Sequence, residues 1–182
     1  NQQGLPKLQD KKLLTDIIQA VNGVMDGTGK RKPLFVKISP DLTNKEIGDI
    51  IDVVMANGLT GIIATNTTID SDIKAQYGER WRNEPGGLSG DDKNFRKKAT
   101  ETIAHIYQET QGKIEIIGVG GVKDVQTTLE MFEKGASAVQ IVTGIRGKGL
   151  GVAIDINRGL VEHMDKEGVK NLNEIIGIDV KR

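Results

Sequence analysis

Two glycine-rich turns and one lysine are the residues of this sequence whose types and spacing suit chemistry best. Gly118-Val119-Gly120-Gly121 stands between a run of strand formers and a helix that the pattern starts near Asp124. Glycines carry no Cβ, so backbone N–H groups at such a turn can approach an anion, and a helix start adds a favourable dipole. A plain tight turn explains the same four residues equally well. The pairing with Val142-Thr143-Gly144, at the end of the next apolar run, favours a phosphate site, because the last two loops of many barrels hold a phosphate jointly. The pattern is not the G-x-G-x-x-G dinucleotide fingerprint. It lacks the third glycine, and no acidic residue follows at the end of the next strand, so NAD is disfavoured.

Lys37 lies between Val36 and Ile38 in an apolar run, where an ammonium is costly to bury unless it meets an anion or a polar ligand. A ligand-facing lysine is the sharper reading, and a side chain snorkelling from the strand end to solvent is the plainer one. Asn66, Thr67 and Thr68 put amide and hydroxyl groups at another strand end, where they suit the edges of a planar heterocycle or form an Asx turn. Gly86-Gly87-Leu88-Ser89-Gly90 fits a mobile lid, a second backbone cradle for an anion, or a flexible linker. His105 and His163 fall within helical patterns with no triad partner and are assigned to surface or packing roles. Trp81 is read as stapling its own loop.

These residues need elements to position them, and the hydrophobic periodicity supplies four strand-helix units. A first helix carries Leu13, Leu14, Ile17, Ile18, Val21 and Val24 and ends near the glycines at 23 to 29. Leu34 to Ile38 follows as a strand, and Thr43-Asn44-Lys45-Glu46 is a capping box opening a helix whose buried face is Ile47, Ile50, Ile51, Val54 and Met55. Gly58 ends that helix, Gly61 to Asn66 is the second strand, and a polar loop runs from about Thr68 to Asp92. Next come a helix with Phe95, Ala99, Ile103 and Ile106, the strand Ile114 to Val119, and a helix with Val125, Leu129, Met131 and Phe132 ending at Gly135. Ala138 to Val142 is the fourth strand. A closing helix from about Ala153 to Lys166 turns Ile154, Leu160, Val161 and Met164 inward. Alternating units of this kind imply parallel strands with right-handed crossovers, in a doubly wound sheet or a barrel. Lys37, Asn66-Thr67, Gly120-Gly121 and Thr143-Gly144 all fall just past strand carboxyl ends, the face on which both architectures bind ligands.

Composition narrows the classes. The 182 residues suffice for one domain, and 25 basic against 25 acidic residues, without a basic stripe, argue against a nucleic-acid binder. The absence of cysteine removes disulfides, thiolate metal sites and a cysteine nucleophile, and two separate histidines make a metal site unexpected. No segment approaches the roughly 20 consecutive apolar residues of a membrane helix. The sequence opens at Asn1-Gln2-Gln3-Gly4 with neither an initiator Met nor a signal peptide, so upstream sequence is expected.

Four motifs in one order carry a resemblance: Val36-Lys37-Ile38-Ser39-Pro40-Asp41-Leu42, Thr65-Asn66-Thr67-Thr68, Gly86-Gly87-Leu88-Ser89-Gly90 and Ile116-Ile117-Gly118-Val119-Gly120-Gly121-Val122. Together they resemble class 2, quinone-dependent dihydroorotate dehydrogenase over essentially the whole chain. The opening Asn1 to Gln9 is similar to the stretch after that family's Ser-Pro-Asn active-site loop. The resemblance implies an α/β fold, the C-terminal half of a (β/α)8 TIM barrel, with residues 1–182 forming part of a single FMN-binding domain. It implies that Lys37 contacts the flavin ring, that Thr65 lies against it, and that Ser89, Gly90, Gly120, Gly121, Val142 and Thr143 hold the phosphate and ribityl chain of FMN. Asn1, Asn66 and Thr67 match pyrimidine-binding positions. The family reaction passes hydride from dihydroorotate to FMN while a base takes a proton. It yields orotate for UMP biosynthesis, with a quinone as final acceptor and the full-length protein on the mitochondrial inner or bacterial cytoplasmic membrane.

The catalytic serine of that family would fall just before Asn1, so no catalytic residue is assigned within the sequence, and a polypeptide starting at Asn1 is expected to be inactive alone. Pro6 and the stretch Gly144-Ile145-Arg146-Gly147-Lys148-Gly149 depart from the family pattern, as does Val142, where many relatives carry an aromatic residue. Four units alone would leave two open sheet edges and apolar strand surface exposed. Two alternatives compete: another FMN barrel oxidoreductase of the class 1 dihydroorotate or dihydropyrimidine dehydrogenase type, or a non-redox phosphate-binding barrel fragment. The Thr65-Asn66-Thr67-Thr68 run and Lys-Ile-Ser-Pro-Asp-Leu favour class 2 over the first, and a colourless protein would favour the second.

Overall fold

Local rules explain where most of the elements begin and end in the computed structural model, which describes residues 8–180. Helix α1 (Lys11–Thr28) starts where the Asp10 side chain accepts from the N–H groups of Lys12 and Leu13, and stops at Gly29 in the left-handed conformation. Helix α2 (Asn44–Ala56) starts with the expected capping box, Thr43 and Glu46 each accepting from the other's backbone N–H. Strands β1 (Phe35–Ile38), β2 (Gly61–Ala64), β3 (Glu115–Val119) and β4 (Ala138–Gln140) form one sheet in the order β1-β2-β3-β4. Every pairing is parallel. Helix α4 (Lys93–Thr110) crosses between β2 and β3, and α5 (Val125–Glu133) between β3 and β4.

Burial alternates along the strands. Ile38, Ala64 and Gly118 share one register line, and with Ile62 and Ile116 they face the helices. There they meet Ile50, Val54, Ile103, Ile106 and Met131, all fully buried. Removing such side chains from water, at about 25 cal/mol per Å² of apolar surface, is the main force holding sheet to helices. The line Lys37, Ile63, Ile117 and Ala138 is half-buried or exposed, so helices cover one face of the sheet only.

Several expectations are corrected. In α7 (Val152–Glu167) the buried stripe is Val152, Ile156 and Leu160, while Ile154 and Val161 are 62% and 57% exposed. The helix carries two apolar stripes, and of the four residues expected to face inward Leu160 is buried and Met164 packs partly buried on the core, while the other two face out. Helix α1 does the same. Leu14 and Ile18 pack on the core, whereas Leu13, Ile17, Val21 and Val24 are exposed, as is Met55 in α2. The two doubly striped helices are the ones beside the sheet's outer strands, since α1 packs on α2 and α7 on α5. Strand β2 ends two residues early because Thr65 N–H turns to Val119 O (2.8 Å) and Asn66 N–H to Ile38 O (2.7 Å), fanning to both neighbours. Strand β4 is also short, giving way to an unexpected helix α6 (Thr143–Lys148).

The segment expected to be a polar loop is built and tied. It contains α3 (Ser71–Ala75) and a 3₁₀ turn, Glu79–Trp81. Lys74 of α3 is buried, and its ammonium donates to the carbonyls of Glu84 and Gly86. Thr68 and Leu88 exchange backbone hydrogen bonds, and Tyr77 Oη donates to Asp92 at 2.8 Å. Trp81 lies within its own loop with the Arg80 guanidinium over its ring.

Candidate functional site

All four strands end at one cavity of about 490 Å³, within the usual range for a small-molecule site. Lys37 stands on its wall one residue before the end of β1. The side chain is exposed rather than buried, because it occupies the sheet face that no helix covers. Just past β2 come Thr65, Asn66 and Thr67, of which Thr65 is buried and donates its hydroxyl to Asn66 O at 2.9 Å. From the tied loop come Ser89 and Gly90, and Ser89 Oγ lies 3.0 Å from Thr143 Oγ1. Gly120 and Gly121 follow β3, and Val142 and Thr143 follow β4, the latter opening α6. Ten sequence-singled residues from five separate segments therefore share one cavity. Asn1 lies outside the described residues. His105 and His163 sit in α4 and α7 and do not line the cavity.

The glycines are required by space as well as by backbone angle. Gly120 has φ 139°, and a Cβ there would stand 2.9 Å from Ala99 Cβ and 3.2 Å from the Phe95 ring. Gly121 has φ 73°, and its Cβ would press on Gly90 O and Arg96 at 3.2 Å. Helix α4 thus seats the turn from below, and a side chain at either position would meet atoms already in contact distance.

The sequence reading missed a polar cluster behind Asn66 and Thr67. Asp41, just past β1, accepts from Thr68 Oγ1 (2.6 Å), from Ile69 N–H (2.7 Å) and from Lys98 Nζ of α4 (2.8 Å). Lys98 also donates to Asp70 at 2.7 Å. The Lys98 hydrogen bond holds the Asp70 carboxyl below the usual carboxylate range, against its partial burial. For Lys98, burial works to lower the ammonium pKa, but the hydrogen bonds to Asp41 and Asp70 outweigh it and the pKa rises. The one local clue was Asp41 itself, inside the Ser-Pro-Asp-Leu run. Its partner Lys98 is 57 residues away.

Also missed were Asp91, Lys123 and Lys148 on the cavity wall. Asp91 accepts from Lys123 and from Arg96, and the Lys123 hydrogen bond leads in keeping its carboxyl below the usual range. Three lysines against one aspartate leave the lining net positive. A cavity with positive charge, glycine backbone and the Ser89 and Thr143 hydroxyls at one end, and Lys37 with Asn66 at another, suits a ligand with an anionic head and a polar planar body. Among the described residues no cluster of His, Asp or Glu could hold a metal ion.

The sequence matches the dihydroorotate dehydrogenase family over residues 1–164. The chain belongs to that family. It is 41% identical over 184 residues to the dihydroorotate dehydrogenase (quinone) of Synechocystis, covering 98% of this chain and 47% of the relative. It is 38% identical over 183 residues to that of Trichodesmium erythraeum, again covering 98% and 47%. Among solved structures, DHODH of Eimeria tenella in complex with ferulenol superposes with a TM-score of 0.89 at 32% identity, over 100% of this chain and 52% of that one. The chain thus spans about half the length of the curated relatives it matches. Its four parallel units correspond to about half of a DHODH chain of barrel fold.

Proposed function

We propose that this chain is the C-terminal, FMN-holding half of a dihydroorotate dehydrogenase barrel that oxidises dihydroorotate to orotate and passes the electrons to a quinone. The observation that carries the reading is the convergence of Lys37, Thr65–Thr67, Ser89–Gly90, Gly120–Gly121 and Val142–Thr143 on one net-positive cavity, in a chain of this family. The residues fit the cofactor. Gly120 and Gly121 leave backbone open where a Cβ has no room, beside two hydroxyls and two lysines that suit a phosphate.

When bound, FMN supplies the two-electron acceptor, and the chain's own residues do the rest. The Gly120–Gly121 turn, Ser89, Gly90, Val142 and Thr143 would hold the phosphate and ribityl end. Lys37 places a fixed positive charge beside the ring and favours negative charge gathering there, in a site whose field is set before the reaction begins. Thr65, buried just past β2, would pack against the ring. Asn66 and Thr67 orient the pyrimidine by hydrogen bonds, and the Asp41–Lys98 cluster keeps their loop in place. Orotate formation serves UMP biosynthesis, and use of a quinone brings the whole protein to a membrane. No helix among the described residues is long and apolar enough to cross one.

Two preparations test the reading. A polypeptide of the relatives' full length, mixed with FMN and desalted, should be yellow with its flavin fluorescence quenched, and the 182-residue chain should take up FMN only when that longer polypeptide does. In a polypeptide of the relatives' full length, dihydroorotate should bleach the flavin without oxygen and added quinone should restore it, with Lys37→Met slowing the bleaching while retaining FMN. A colourless chain that cannot be loaded points to the non-redox phosphate module instead.

A further inference from the structure

Two of the four charged residues on the cavity wall are engaged with each other. Lys123, two residues past the Gly120–Gly121 turn, donates to Asp91 Oδ2, while Asp91 Oδ1 accepts from Arg96 Nη1 at 3.0 Å. The two cations are held differently. Arg96 is gripped from both sides, since its Nε also donates to Glu130 at 3.0 Å, and its side chain is only 14% exposed. Lys123 sits at the cavity rim, its side chain 35% exposed and that of Asp91 51%. An ion pair so open to water is weakly held, and a stronger anion nearby competes for the lysine.

The cavity is built to receive such an anion. A phosphate monoester carries close to two negative charges at neutral pH, its second pKa being about 6, and offers three acceptor oxygens. If Lys123 leaves, Asp91 keeps Arg96, so the exchange strands no carboxylate. We propose that Lys123 is a side-chain counter-ion for the ligand's phosphate, held in waiting by Asp91 and handed over when the phosphate arrives. The proposal rests on the FMN reading. Asp91 then acts against affinity twice, by competing for Lys123 and by placing a negative charge at the rim, so the two residues affect binding in opposite directions.

Fluorescence titration of the wild-type protein and its variants, prepared as a polypeptide of the relatives' full length, with FMN and with riboflavin, which lacks the phosphate, tests this. Lys123→Gln should weaken FMN binding by about tenfold and change riboflavin binding less than about twofold, as expected for loss of one charge-assisted contact to phosphate. Lys123→Arg should retain most of the preference for FMN. Asp91→Asn should tighten FMN by roughly threefold at low salt, the gain shrinking as salt screens the rim. Circular dichroism confirms that each variant is folded, and the arginine variant preserves the test if the glutamine variant is not. Equal loss of both flavins in Lys123→Gln, unchanged FMN affinity, or weaker FMN binding in Asp91→Asn would each overturn the counter-ion role while leaving the FMN reading intact. A wild-type protein that binds neither flavin overturns both.

Discussion

Replacing Asp41 by alanine should do more damage than the surface position of its loop suggests. The carboxylate is 17% exposed and accepts from three donors: the hydroxyl of fully buried Thr68, the Ile69 N–H and the Lys98 ammonium. A net hydrogen bond is worth about 1–1.5 kcal/mol, which puts the loss of three at about 3–4.5 kcal/mol. Lys98→Met removes only the ammonium, from a side chain 29% exposed, and leaves Asp41 with two donors. It should cost about 1–2 kcal/mol. Because both changes break the same contact, the double variant should be more stable than the sum of the singles predicts, by about 1 kcal/mol. Urea unfolding followed by circular dichroism gives all three values, provided the slopes agree. A double variant equal to the sum of the singles would show that Asp41 and Lys98 do not act together. In the full-length protein the same variants should raise KM for dihydroorotate more than they weaken FMN, since the cluster stands behind Asn66 and Thr67.

Three further outcomes are expected. Gly120→Ala meets Ala99 and Phe95 at a positive φ; it should lower stability by about 2–3 kcal/mol and prevent FMN loading, measured by thermal unfolding and flavin absorbance. Lys74→Met leaves the carbonyls of Glu84 and Gly86 without their donor, so limited proteolysis should cut between α3 and α4 several-fold faster, with the core unaffected. Asp70 and Asp91 have carboxyls held down by Lys98 and Lys123, so their contribution is complete above the unfolded value near ~3.9 and is lost as pH falls through the folded values. Lys98, with its pKa raised, contributes fully below ~10.4 and fades only as pH climbs past its folded value. Urea midpoints should therefore be nearly level from about pH 5 to 9 and fall below ~4; a steep fall between pH 7 and 5 would contradict this assignment.

What could be read from the sequence was local. The Thr43–Glu46 box spans four residues, the helix-ending glycines mark their own positions, and the Gly120–Gly121 turn announces itself by lacking side chains. Ten of the eleven candidate binding residues lie on the cavity because strand ends in a parallel sheet all open to one side. The features missed depend on partners far along the chain or absent from it. Nothing near Asp41 signals Lys98, and nothing near Asp91 signals Lys123. Helices α1 and α7 each carry two apolar stripes, and periodicity cannot say which meets a neighbour within these residues. Helix α6 was invisible because Thr-Gly-Ile-Arg-Gly-Lys has weak intrinsic helicity.

One short stretch of α4 touches both ends of the cavity. Phe95 and Ala99 seat the Gly120 turn, Arg96 grips Asp91, and Lys98 reaches the cluster behind Asn66. Five consecutive residues of a rod that rises about 1.5 Å per residue thus set how far the two ends stand apart. The helix serves as a gauge block: a slip of one residue along its axis would shift the glycine turn and the Asp41 cluster together, preserving their separation while spoiling their fit to the strands.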